Sequence, residues 1–327
     1  MSQVRTKAGV ALLLVTCGGF MGFAFVFLRG CAQKHTRPVG HGNVTFDVSQ
    51  DGSKVVFAAP GRGGRDLYLL DIASNEIQAL TSSPEYELMP ALSPDGQRVA
   101  FTRGKDGVRA DQLCLMDLSS RSIKQLTDAD ENITSPTFTQ DGKSIVFALE
   151  SHYRWGGLAS SWNECGALAI MDLRTGERRV LMEEKRRASD PMISNDGKWL
   201  AWSESQGICI APMSLPLNYR VVLPAGSSPA FNSDGKMLAF LTGTYSPDVH
   251  VELAPISGTK ASIVPNTYGA KQVQFLPNGR MLVLLESWRS GGFGVPTRGL
   301  WETAIDGTNR REVISEARMA APFGNGR

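Results

Sequence analysis

One short motif recurs six times along this chain, and it restricts the fold more than any other feature. In order it reads SQDGSKVVFAA, SPDGQRVAFTR, TQDGKSIVFAL, SNDGKWLAWSE, NSDGKMLAFLT and LPNGRMLVLLE. Its turn glycines are Gly52, Gly96, Gly142, Gly197, Gly235 and Gly279, spaced by 44, 46, 55, 38 and 44 residues. Self-similarity at a fixed period identifies a repeat architecture, because each unit is one supersecondary element that cannot bury its apolar surface alone.

The interior of each unit is made of strands. A short apolar run such as PALS or PAFN leads into Asp-Gly, a dipeptide that accepts the positive φ of a tight hairpin. A β-branched and aromatic run follows, as in VVFAA (55–59) and IVFAL (145–149). A third strand reads LYLLD (67–71), LCLMD (113–117), LAIMD (168–172), ICIAP (208–212), VHVEL (249–253) and LWETA (300–304). A fourth reads IQALT (77–81), IKQLT (123–127), RRVLM (178–182), YRVVL (219–223), KASIV (260–264) and RREVI (310–314).

Four short strands at a period in the forties predict propeller blades. The fold class is all-β, a six-bladed β-propeller over residues 43–315, in which each small twisted sheet is covered by the next. All six units read in one frame, so closure by strand exchange is not required, and residues 44–48 supply the first inner strand. The tail, 316–327, is expected to fray.

A different pattern precedes the repeats. After a short basic N-terminus (1–7), residues 8–28 carry no charge and are bracketed by Lys7 and Arg29. Some twenty apolar residues match the roughly 30 Å hydrocarbon core of a bilayer, which predicts one transmembrane signal anchor. A cleaved signal has a shorter apolar region and a small-residue cleavage site. The rival is lipid attachment at Cys31, where Gly30-Cys31 resembles the end of a bacterial lipobox although Arg29 departs from it. Basic residues flank the span on both sides, so charge does not set the orientation. Residues 29–42 read as a linker.

The S/T-x-Asp-Gly turn, the aliphatic-aromatic strand, L-x-x-M/L-D and the closing x-x-L-T together resemble the TolB-type β-propeller repeat. The resemblance covers nearly all of the chain after the linker. It implies a propeller outside the cytoplasm, periplasmic or extracellular, that binds protein partners in the cell envelope. It does not imply membership of a Tol–Pal-type system, because TolB carries an α/β domain before its propeller and a cleaved signal.

Chemistry leaves few marks. The 34 basic and 32 acidic side chains give a net charge of +2, which argues against nucleic acid as the main partner. There is no G-x-S-x-G elbow and no H-E-x-x-H, and only His152 and His250 fall within the repeats. The sequence therefore predicts no catalytic residues, no metal site and no cofactor. Cys114 and Cys209 are expected as buried thiols in third strands. The reading is a membrane-tethered, non-catalytic protein-binding scaffold. Its rivals are a lyase or hydrolase acting on a glycan or peptide at the channel mouth, and a carbohydrate-binding module.

Two connections depart from the repeat, and departures are where binding residues concentrate. Residues 151–166 and 287–299 join second to third strands and are rich in Trp, Arg and Gly. They supply the predicted docking residues Arg154, Trp155, Trp162, Trp288, Arg289 and Phe293. The alternative is that these aromatics fold back to cap the channel. Tyr86, between Glu85 and Glu87, is expected on the same face.

Overall fold

The computed structural model describes residues 45–61, 64–104, 112–128, 131–150, 166–182, 187–214, 217–243, 248–258, 260–287, 297–315 and 318–319. The chain divides into two compact units, Met1–Arg37 and Pro38–Arg327. The predicted membrane span at 8–28 lies outside the described residues, among which no helix is long and apolar enough to cross a membrane.

Among the described residues, twenty-four strands follow one another in groups of four. The first group is β1 (Phe46–Val48), β2 (Lys54–Pro60), β3 (Arg65–Asp71) and β4 (Glu76–Ala79); the second is β5 (Tyr86–Leu92), β6 (Arg98–Gly104), β7 (Gln112–Asp117) and β8 (Ile123–Gln125). The third is β9 (Asn132–Phe138), β10 (Ser144–Glu150), β11 (Gly166–Asp172) and β12 (Arg178–Met182); the fourth is β13 (Ser189–Ile193), β14 (Trp199–Glu204), β15 (Gly207–Pro212) and β16 (Arg220–Leu223). The fifth is β17 (Ser227–Phe231), β18 (Met237–Thr242), β19 (His250–Pro255) and β20 (Ser262–Ile263); the sixth is β21 (Ala270–Phe275), β22 (Met281–Ser287), β23 (Thr297–Thr303) and β24 (Arg311–Ile314). Each group is an antiparallel meander, and one parallel pair, Arg65 with Tyr86, links the first two sheets.

The repeat motif explains the local structure. Asp51 accepts hydrogen bonds from Ser49 Oγ (2.6 Å) and Ser53 N (2.9 Å), while Ser49 Oγ accepts from Lys54 N (2.9 Å). Gly52, at φ +72°, completes the turn in a region where L side chains are strained. Asp95, Asp141 and Asp196 repeat the arrangement with Ser93, Thr139 and Ser194. A second set of carboxylates, on Asp71, Asp117 and Asp172, closes the hairpins between third and fourth strands in the same self-contained way.

Packing then closes the ring. The second strands place Phe57, Phe101, Phe147, Trp202 and Phe240 at one repeat position, all fully buried. Six apolar clusters each join two neighbouring sheets: Phe101 packs with Val56 and Leu67, Trp202 with Val146 and Leu168, and Phe57 with Leu284 of the last sheet. One sheet of this size has two apolar faces, and only a ring gives both a partner. The first inner strand pairs with β2, so closure occurs without strand exchange, as the common frame predicts. Met319, inside the expected tail, is 3% exposed within the first-to-last cluster, and residues 320–327 lie outside the described residues.

Candidate functional site

Two concentric features are built by the inner ends of the blades. The deeper one lies on the first strands. Met89, Ser135, Asp190 and Ser228 precede Pro90, Pro136, Pro191 and Pro229, and all four have φ between +49° and +51°. Such backbone is uncommon outside glycine and persists only when surroundings hold it. Each coincides with a β-bulge in its sheet.

What holds them is a belt of bonds from one blade to the next. Met89 N donates to Thr45 Oγ1 (3.0 Å), and Ser135 N donates to Met89 Sδ (3.1 Å). Ser135 Oγ donates to Asp190 Oδ1 (3.2 Å), and Ser228 N donates to Ser203 Oγ (3.0 Å), whose hydroxyl reaches Asp190 Oδ2 at 3.1 Å. Asp47 Oδ2 accepts from Leu92 N at 2.8 Å. Burial raises the Asp47 carboxyl to about 6 against the pull of the Leu92 and Val48 amides. The sequence signal for this belt was the residue-Pro pair in four first strands, and sequence reasoning missed it.

The second feature is the rim on the face of the second-to-third connections. Charged groups are buried there, most of them on blades six, one and two, with Glu204 on blade four also buried at the same edge. Arg65, Asp66 and Glu87 are 7%, 3% and 0% exposed, and Glu286 is 5% exposed. Arg103 Nη2 meets Glu87 Oε1 at 2.7 Å, and its Nε faces Glu85 Oε2 at 3.6 Å. Glu286 receives Arg298 Nη2 (2.7 Å) and Lys271 Nζ (2.8 Å). Asp66 Oδ1 accepts from Ser83 N at 2.8 Å, which ties the first-to-second connection to the rim.

The electrostatics follow from burial. Loss of water raises the Glu87 carboxyl above its ordinary range, opposed by the Thr81 hydroxyl and Arg103. At Glu286 burial pushes the same way, but Lys271 and Arg298 outweigh it and leave the carboxylate below its ordinary value. Burial and the neighbouring Arg298 cation lower Arg65. The rim therefore carries ion pairs in a poorly hydrated setting, where removing one partner is costly.

Tyr86 sits in this rim, half-buried, opening β5 beside Arg65. The roots of the two long connections end at the same edge, where Glu150 pairs with Gly166 and Ser287 with Thr297. Arg154, Trp155, Trp162, Trp288, Arg289 and Phe293 themselves lie outside the described residues. Sequence reasoning reached Tyr86 and its acidic neighbours but missed the Glu87–Arg103 pair. Its signal was a departure from the repeat: in blade three the matching register holds Ile133 opposite Leu149. Cys114 and Cys209 are buried free thiols, as expected.

A closed ring of four-stranded meanders with first strands inward defines the chain as a β-propeller. Residues 39–154 match the family model of the TolB beta propeller domain. A TolB homolog of Chlorobaculum tepidum is 37% identical over 51 residues, which is 16% of this chain and 12% of that protein. TolB from Acinetobacter baumannii superposes with a TM-score of 0.64 at 19% identity, over 82% of this chain and 65% of that one. Oligogalacturonate lyase from Vibrio parahaemolyticus superposes at 0.58 with 15% identity, over 85% of this chain and 80% of that one. The chain thus spans less than two thirds of the Acinetobacter TolB, and at these identities the superpositions speak to fold alone.

Proposed function

We propose that this chain is a membrane-tethered, non-catalytic scaffold that docks a protein partner of the bacterial cell envelope on the rim of blades six, one and two. The observation that carries the reading is the placement of buried charge. Arg65, Asp66, Glu87 and Glu286 share that rim with Tyr86 and with the root of the 287–299 connection, and the 151–166 connection rises from blade three on the same face. Half-buried aromatic and arginine side chains braced by neighbours are favoured interface anchors, since little entropy remains to be lost on binding. The TolB likeness supports a protein partner, and the uncharged span at 8–28 supports a membrane anchor with the propeller outside the cytoplasm. Lipid attachment at Cys31 is the competing mode of anchoring.

The test is cross-linked capture of the full chain from membranes, followed by Tyr86→Ala. Loss of a captured envelope protein with an unchanged melting temperature supports the reading; undiminished capture by this variant removes the rim as the docking site. The lyase likeness supports a second reading, an enzyme acting on an acidic glycan at the same mouth. Its test is incubation with polyuronides: an unsaturated, ultraviolet-absorbing product would establish that reading and end the non-catalytic one.

A further inference from the structure

We propose that the outer wall formed by the fourth strands of blades three, four and five is a contact surface for anionic lipid headgroups. These blades share one exposed register position. Opposite Ala169, Cys209 and Glu252 of the third strands stand Val180, Val221 and Ile263, which are 53%, 42% and 52% exposed. In blades one and two the same position holds Ala79, opposite Tyr68, and Gln125, opposite Cys114. A lone exposed valine is ordinary, but β-branched side chains left bare on three consecutive blades make a patch.

Cations are interleaved with these side chains. Arg179 precedes Val180, Arg220 precedes Val221 and Lys260 opens the segment that ends on Ile263, all three exposed. Among the described residues none of the three is in an ion pair. Arg220 is steadied by the next blade instead, donating to Ile256 O at 2.5 Å and reaching Ser257 O at 3.5 Å, and backbone carbonyls leave its charge uncancelled. Arg178 is held by Glu131, and with Glu177 counted the wall stays net positive. On blade one the counterpart, Glu76–Ala79, carries an acid and no cation. Charges on edge strands also guard against edge-to-edge pairing, but a guard does not call for bare valine and isoleucine beside it. A basic surface interleaved with apolar side chains suits the boundary between headgroups and acyl chains. A span at 8–28, part of the proposed function on which this contact rests, holds the propeller at a bilayer where even weak contacts form. The rim of blades six, one and two, on the other half of the ring, is left open to a protein partner.

The test places an environment-sensitive fluorescent amino acid at position 180, 221, 263 or 79 of the full-length chain. Each protein is reconstituted with vesicles of phosphatidylcholine and phosphatidylglycerol, or of phosphatidylcholine alone. The wall predicts a blue shift at 180, 221 and 263 in the anionic vesicles, none at 79, and none at any position in phosphatidylcholine. Arg179→Gln with Arg220→Gln should lower the ratio of shifted to unshifted protein about thirtyfold, since two cations near an anionic surface are removed. Alkaline extraction reads the anchor separately: a chain released by alkali but shifted at the three positions fails the anchor and keeps the wall. Absence of a shift at 180, 221 and 263 in anionic vesicles overturns the proposal, whether or not alkali releases the chain. So does an equal shift at 79, or a shift seen in native membranes alone, which would assign the wall to a protein.

Discussion

The two faces of the propeller use acidic side chains in opposite ways. Glu302 apart, which is buried between Arg280 and Arg311, the carboxylates on the face of the Asp-Gly turns are consumed within their own turns: Asp51 by Ser49 and Ser53, Asp141 by Thr139 and Lys143, Asp196 by Ser194 and Lys198. These groups are exposed and hydrogen-bonded in their charged form, which holds Asp51 and Asp196 at about 2. On the opposite rim, Glu87 and Glu286 are buried and shared with Arg103, Arg298 and Lys271. A carboxylate satisfied locally specifies a turn and is left with nothing to offer a partner. A network that depends on neighbouring strands can be exchanged for contacts with something else.

The sharpest way to break this contrast is to remove one side of a rim pair. Arg103→Ala leaves Glu87 buried without its cation, and is expected to cost about 3 kcal/mol in chemical denaturation. The double change Glu87→Ile with Arg103→Leu copies the Ile133–Leu149 register of blade three and should restore most of that loss. If the double variant is as unstable as the single, the rim pair is not interchangeable with blade three's apolar one.

Next in size is the docking aromatic. Tyr86→Ala should weaken partner binding by about 2 kcal/mol, measured by titration with the captured protein, and leave stability nearly unchanged. A melting temperature lowered by several degrees would make Tyr86 a packing residue instead.

Smaller effects come from titration. Asp47 is raised to about 6 in the folded chain, so the native state holds a proton that the unfolded chain has lost between about pH 4 and pH 6. Stability therefore falls as pH rises through that window and levels off above it. Asp47→Asn should flatten the slope, and an unchanged slope would show that Asp47 is solvated. The turn carboxylates act with the opposite sign. Asp51, Asp117 and Asp196 are depressed to about 2, so the stability they contribute is present above pH 4 and is lost as pH falls towards 2. The smallest expected change is Ser93→Ala, about 1 kcal/mol, because it removes one hydroxyl from one turn.

How much of this was legible in the sequence depends on whether a residue obeys the repeat. Gly52 to Gly279 and the aromatics Phe57 to Phe240 do obey it, so six four-stranded units and their order could be read without coordinates. Period-based reasoning averages over units and passes over single exceptions. The Glu87–Arg103 pair occupies a register that is apolar in blade three, and the positive-φ residues before Pro90, Pro136, Pro191 and Pro229 look like ordinary strand positions. Met319 was assigned to a fraying tail because nothing in a terminal sequence reports a cluster formed with residues over 250 positions earlier.

In the proposed function, partners dock on the rim and not on the turn face. A photo-activatable side chain placed at Tyr86, and in a second protein at Asp234 on the turn face, tests it in intact membranes. Docking on the rim gives an adduct with an envelope protein from position 86 and none from position 234. An adduct from 234 alone would contradict it, and would move the binding site to the face whose carboxylates were taken to be spent.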